Sequence, residues 1–261
     1  MDLFKLRGDI DKKTGTIVGL IGLAILLVLW GSITGLGLIP KQLLPAPWKV
    51  LGAFGELHFK DALVRNLSYS VYLNVMGYVE AIVISLFVGF LLGLIPLFRG
   101  LFSGYLNAAR FIPLPAVTGL FIAWFGIESN MKIQFLACGI IVYLIPVVMQ
   151  RVLEIDSVYE HTAIMLGATP WQRITRVYAP YVMTKITDDI RVLVAISWTY
   201  IIVAEMINSS SGGVGALAYL CARQSRVDKV FAVLIVIVMV GFVQDRIFQF
   251  IDRKMYPFKY L

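Results

Sequence analysis

IVGLIGLAILLVLWGSITGLGLI, residues Ile17–Ile39, contains no acidic or basic side chain. A helix needs about 20 residues to cross the hydrocarbon core of a bilayer, so this run can span one. In lipid every backbone polar group must be bonded within the protein, which leaves helices and closed barrels. Barrel strands alternate apolar and polar residues. Here the apolar residues are continuous, so the run reads as a helix. It also exceeds the apolar core of a signal peptide, about 7–15 residues, and is expected to stay as a first span.

The pattern repeats outward from this block. Further candidate spans are Ser68–Phe98 with Glu80 inside it, Tyr105–Ile127 with Arg110 near its start, and Ile133–Gln150. Ile186–Ile207 opens on Asp188, Asp189 and Arg191 and carries Glu205 near its end, and Val230–Phe250 closes on Asp245 and Arg246. The expected fold is an all-α integral membrane protein with about six transmembrane helices. Composition agrees: of 261 residues 59% are hydrophobic and 15% charged, against about 25% charged in an average soluble chain. Mean hydropathy is +0.83.

The net charge of +7 sits at the ends of apolar blocks, where Lys and Arg set orientation. No basic patch interleaved with aromatics argues for nucleic acid; lipid headgroups are the expected partner of these charges. With both termini cytoplasmic, the inner segments hold the larger share of Lys and Arg, from Lys5, Arg7, Lys12 and Lys13 to Lys259. The outer segments hold Lys41, Lys49, Lys60, Arg65, Lys132, Arg223, Arg226 and Lys229. The expected organisation is a cytoplasmic segment 1–16, one transmembrane domain 17–252 and a cytoplasmic tail 253–261. No repeat divides the chain. In the first connection Leu44-Pro45-Ala46-Pro47 is a turn, and the residues to Phe59 suit a short interfacial helix.

The connection at about 151–185 is too polar for the bilayer and too regular for a linker. Ser157–Leu166 reads as a helix that Gly167 ends by taking the left-handed conformation. Thr169 then suits an N-cap, Pro170 the first helical position, and Gln172 the partner of a capping box. This second helix is expected to end before Pro180.

Glu160–Pro180, EHTAIMLGATPWQRITRVYAP, resembles the E-A-A loop of ABC importer permeases. That pattern reads Glu-Ala-Ala, three residues, Gly, nine residues, then Ile-x-Leu-Pro. Aligned on Gly167, Ala163 takes the third position, Val177 the Ile and Pro180 the proline. His161, Thr162 and Ala179 depart from it, and Glu160 stands one residue early. Leu44-Pro45-Ala46-Pro47, Ile112-Pro113-Leu114-Pro115, Trp124-Phe125-Gly126-Ile127, Ala204-Glu205-Met206 and Gly213-Val214-Gly215 resemble the nitrate/sulfonate/taurine/bicarbonate branch of that family. The resemblance implies a type I importer-like permease in a bacterial inner membrane, paired with a second permease copy as a homodimer. It implies a cytoplasmic ABC ATPase dimer that carries ATP and Mg, and a periplasmic or surface-tethered substrate-binding protein. It makes Glu160, Ala163, Leu166, Gly167, Ala168, Thr169, Pro170 and Pro180 the expected ATPase-coupling residues. The chain itself has no Gly-Lys dipeptide, hence no phosphate loop.

Ionisable groups within spans are costly, about 2.5–3.5 kcal/mol at mid-bilayer, and face protein or water. Arg110 and Glu205 are the expected translocation-path residues, with Arg110 a candidate partner for Glu205 or Glu80. Chemistry is not expected of this chain. His58 and His161 lie in separate connections, Cys138 and Cys221 match no metal or disulfide pattern, and no base accompanies Ser209. A non-ABC channel or secondary carrier is the alternative, and would have no use for a coupling helix. A membrane-embedded transferase would need a clustered acid–base or metal motif.

Overall fold

A computed structural model describes residue 8 and residues 10–260. Half of the proposed N-terminal cytoplasmic segment, including Lys5 and Arg7, and the last residue, Leu261, lie outside the described residues. The chain begins with α1 (Lys12–Gly35), α2 (Pro47–Phe59), α3 (Leu63–Leu94), α4 (Pro96–Ala109), α5 (Thr118–Phe125) and α6 (Ser129–Leu153). It continues with α7 (Ser157–Met165), α8 (Pro170–Arg173), α9 (Ala179–Ile207), α10 (Val214–Arg223) and α11 (Val227–Met255). Among the described residues, five helical runs are long and apolar enough to cross a membrane, or six if the bent α4–α5 pair counts as one span.

The centre of the bundle is the pair α3 and α6, which run parallel. Gly89 lies against Val148 and Gly93 against Val152; a Cβ on either glycine would fall 2.5 or 2.6 Å from the facing Val Cβ. The two missing side chains let the backbones approach, as small residues do between membrane helices. α9 packs on α6, and α10, α11 and α2 close the other side. A buried polar chain ties three helices together: Asn74 donates to Ser197 Oγ at 2.9 Å, Gln244 to Asn74 Oδ1 at 3.2 Å, and Trp198 Nε1 to Gln244 Oε1 at 2.7 Å. α1 stands at the periphery, held where Trp30 donates to Pro45 O at 3.0 Å and meets the Phe231 ring. Most of its other apolar side chains are exposed, which suits lipid as solvent.

Several elements differ from the expected ones. The third span is not one helix over Tyr105–Ile127. α4 ends at Ala109, and α5 departs at 95°. Pro113 and Pro115 supply no N–H, and each biases the residue before it away from helix. Gly126, at φ +78°, then ends α5. The second span ends at Leu94 rather than Phe98, because Pro96 opens α4 and Ile95 before it is extended. The sixth span does not close at Asp245 and Arg246; α11 continues to Met255. The connection after Ser209-Ser210-Ser211 contains the buried helix α10, with Cys221 inside it.

The second loop helix does not end before Pro180 either. α8 passes through a π turn, Ile174–Tyr178, directly into α9, so Pro170–Ile207 is a continuous helix of 38 residues. The Ala179 N–H bonds Ile174 O. The wider turn absorbs the donor that Pro180 lacks, as π-bulges do for irregularities inside helices.

Candidate functional site

The connection between α6 and α9 forms a compact elbow. Asp156 Oδ1 accepts from Val158 N at 2.9 Å and caps α7, whose first turn carries Glu160. At its other end Gly167 has φ +78°. The Gly167 N–H reaches Ile164 O and the Ala168 N–H reaches Ala163 O, each at 2.9 Å, which is a complete Schellman stop. A Cβ on Gly167 would meet nothing within 4 Å, so glycine is required here by backbone conformation and not by space.

Thr169 starts the next helix as expected. Its Oγ1 accepts from Gln172 N at 3.3 Å, and Gln172 Oε1 accepts from Thr169 N at 2.8 Å, with Pro170 at the first helical position. Arg173 Nη1 meets Glu160 Oε1 at 2.8 Å and joins α8 to α7. Arg173 was not among the expected residues; a basic residue thirteen positions after an acidic one carries no local signal. The elbow presents apolar side chains to solvent: Met165 is 87% exposed, Leu166 81% and Trp171 71%. Ala163 and Ala168 sit half-buried beneath them, and Pro180 lies exposed just past the π turn.

Below the elbow α9 is clamped from three sides. Arg151 of α6 forks onto Asp189 at 2.8 and 2.9 Å. Arg191 forks onto Asp245 of α11. Lys259 bridges Asp188 at 2.8 Å and Asp252 at 3.2 Å. Bidentate Arg–carboxylate pairs fix geometry as well as charge. The Arg151 hydrogen bond also holds the Glu154 carboxyl below its ordinary value.

Toward the opposite end of α9, Glu205 is fully buried. Its Oε1 accepts from Ser70 Oγ at 2.6 Å and its Oε2 from Gly215 N at 2.8 Å. Ser70 Oγ in turn accepts from Val214 N at 2.8 Å, and Asn66 Oδ1 accepts from Gly213 N at 2.9 Å. The carboxylate therefore faces the N-terminus of α10, where unpaired N–H groups favour an anion. Lys132, in an expected outer segment, is completely buried and donates to Gly212 O at 3.1 Å. It lies near enough to attract Glu205. Neither Lys132 nor the Asn66/Ser70 pair is marked by any sequence motif.

Arg110 and Glu205 are not brought together, and neither are Arg110 and Glu80. Glu80 accepts from Gln134 at 3.0 Å. Arg110 lies at the α4–α5 bend, where its Nε donates to Val142 O at 3.3 Å beside a cavity. Among the described residues no group of three or more His, Cys, Asp or Glu is placed to hold a metal.

Residues 81–256 match the family model for the binding-protein-dependent transport system inner membrane component. A putative aliphatic sulfonates transport permease protein of Bacillus subtilis (strain 168) is 30% identical over 94% of this chain and 88% of its own length. The taurine transport system permease protein of Escherichia coli (strain K12) is 28% identical over 97% of this chain and 93% of its own. Among solved structures, an inward-facing methionine ABC transporter superposes with a TM-score of 0.66 at 21% identity, covering 74% of this chain and 95% of that one. The last likeness is one of fold.

Proposed function

The chain belongs to the binding-protein-dependent transport system inner membrane component family, and from that premise we propose that it builds the solute path of an ABC importer and is driven through the elbow around Gly167. It is a multi-pass permease subunit of the bacterial inner membrane, in a family that works with ATPase and substrate-binding partners. The orientation we adopt puts both termini and the elbow in the cytoplasm.

The observation that carries the reading is mechanical. A helix capped at Thr169 runs unbroken to Ile207 and is clamped at its base to α6, α11 and the C-terminal tail. A nucleotide-driven partner can shift a permease only if it grips the two states differently. The exposed Met165, Leu166 and Trp171 offer such a partner an apolar hold, and the capped, salt-linked elbow passes its displacement on without folding up. Glu160, Ala163, Leu166, Gly167, Ala168, Thr169, Pro170 and Pro180 are the residues of this coupling. ATP and Mg belong to the partner ATPase dimer, a second copy of the chain completes the pore, and a binding protein delivers the solute.

Of the two path candidates, Arg110 borders open space and is assigned to the solute route. Glu205 is assigned to positioning α10. Relatives named for aliphatic sulfonates and taurine favour a sulfonate among the small anions of this branch, which also include nitrate and bicarbonate. The test is co-purification: the ATPase encoded with this chain should be retained by the wild type and lost from Leu166→Asp, while the variant still inserts. Retention of the ATPase by Leu166→Asp, with full uptake, would remove the elbow from the mechanism.

A further inference from the structure

The bend in the third span holds a charge that coupling does not use. α4 has 14 residues and so rises about 21 Å from its start to Arg110. Independently, Arg110 bonds Val142, near the middle of α6, about 20 Å from one end of that helix and about 16 Å from the other. Both helices thus set the guanidinium deep within the apolar slab and not at its headgroup edge. A charge there is unfavourable unless something compensates it.

Little in the structure compensates it. The C-terminal carbonyls of α4 attract the cation with a partial charge only. Among the described residues Arg110 hydrogen-bonds through Nε to Val142 O, whereas a guanidinium offers five donors. The two carboxylates within spans that were candidate partners are already engaged, Glu80 by Gln134 and Glu205 by Ser70 and Gly215. Beside Arg110 opens a cavity of about 290 Å³, walled by Leu114, Trp124, Cys138, Tyr143 and Tyr200. Its shape depends on Gly139, where a Cβ would fall 2.7 Å from the Tyr200 ring and 3.0 Å from Leu114.

We propose that this cavity is an anion site inside the permease, taking a small organic oxyanion whose head pairs with Arg110 and whose aliphatic body lies on the Trp124 and Tyr200 rings. The proposal rests on the chain being a permease and adds a selective step to its solute path. Guanidinium groups take oxyanions through paired N–H donors, and the mostly apolar wall rewards an aliphatic body over a bare ion.

Cys138 lies one turn from Val142 on the same face of α6 and lines the cavity, so it reports on it. In a Cys221→Ala background, the permease–ATPase complex in nanodiscs is treated with methanethiosulfonates. The thiolate attacks the sulfenyl sulfur, a disulfide forms and methanesulfinate leaves. Three reagents are compared: the anionic 2-sulfonatoethyl, the cationic 2-trimethylammonioethyl and the neutral methyl compound. The expected anionic-to-cationic rate ratio falls at least tenfold in Arg110→Gln, stays near wild type in Arg110→Lys, and is lowered in the wild type by added ethanesulfonate. The neutral rate stays unchanged across the variants. An identical ratio in wild type and Arg110→Gln, or no reaction of Cys138 with any reagent, overturns the site. ATP hydrolysis by the same complex reports separately on the permease reading, so a coupled complex with no charge preference would sink only the anion site.

Discussion

Glu205 and Gly213 occupy adjoining space that no side chain can share: a Cβ on Gly213 would stand 2.2 Å from the Glu205 carboxyl carbon. Gly213 also has φ +111°, a conformation open in practice to glycine alone. The carboxylate can therefore come up under the first turn of α10. Gly213→Ala should cost at least about 1–3 kcal/mol from backbone strain alone. The check is the thermal midpoint of the detergent-solubilised protein, which should drop well below that of the neighbouring Ser211→Ala.

Removing the acid itself gives a different signature. Glu205→Ala strands the Gly215 N–H and the Ser70 hydroxyl, each worth about 1–3 kcal/mol when buried unpaired. Glu205→Gln keeps an acceptor and should lose less. Uptake by Glu205→Gln, normalised to folded protein, should show an unchanged KM. A raised KM at an unchanged thermal midpoint would put this residue on the solute path instead.

Gly167 separates conformation from space. Because nothing crowds its Cβ position, Gly167→Asn, which tolerates positive φ, should retain much of the activity. Gly167→Val should not, because a β-branched residue resists φ +78°. ATP-driven uptake in proteoliposomes should fall at least tenfold in Gly167→Val, with insertion and yield near wild type.

The clamp at the base of α9 should matter more for coupling than for stability. Asp189→Asn removes the charge that Arg151 grips. This pair is partly exposed, so the stability loss should be about 1 kcal/mol or less. The expected result is ATP hydrolysis that continues while uptake drops several-fold, read as the ratio of solute moved to ATP consumed.

At the other end of the bundle, Arg226 and Lys229 hold the Glu56 carboxyl below its ordinary value of about 4.5. A carboxylate whose folded value is depressed stabilises the fold above the unfolded value and loses that contribution as pH falls through the folded one. The wild type should therefore exceed Glu56→Gln in thermal midpoint at neutral pH. The gap should close as pH drops below about 4.5, and a gap that widens in acid would contradict the sign.

The local devices were legible in the sequence because they rest on neighbours in the chain. The capping box of Thr169 and Gln172, the stop at Gly167 and the apolar blocks all depend on residues within a turn or two. What escaped depends on distant ones. Lys132 reads as a surface cation until Gly212, eighty positions away, is folded against it. The run Tyr105–Ile127 is apolar enough to pass as one helix, and its prolines announce a kink without announcing 95°. α10 is short and lies in a stretch that reads as a polar connection, and its support comes from Glu205 and Ser70 rather than from its own periodicity. Pro180 reads as a terminator because the π turn that accommodates it has no residue signature.

That π turn gives the long helix a place where chain length and facing are uncoupled. An ordinary helix turns about 100° per residue, so losing a residue anywhere within Ala179–Ile207 would swing everything beyond it off its packing partners. Between Ile174 and Tyr178 the surplus is already stored as one wide turn. Trimming a residue there regularises the coil while the elbow and the bundle keep their present bearings. This wide turn is thus also the point where the chain is expected to tolerate a change in length.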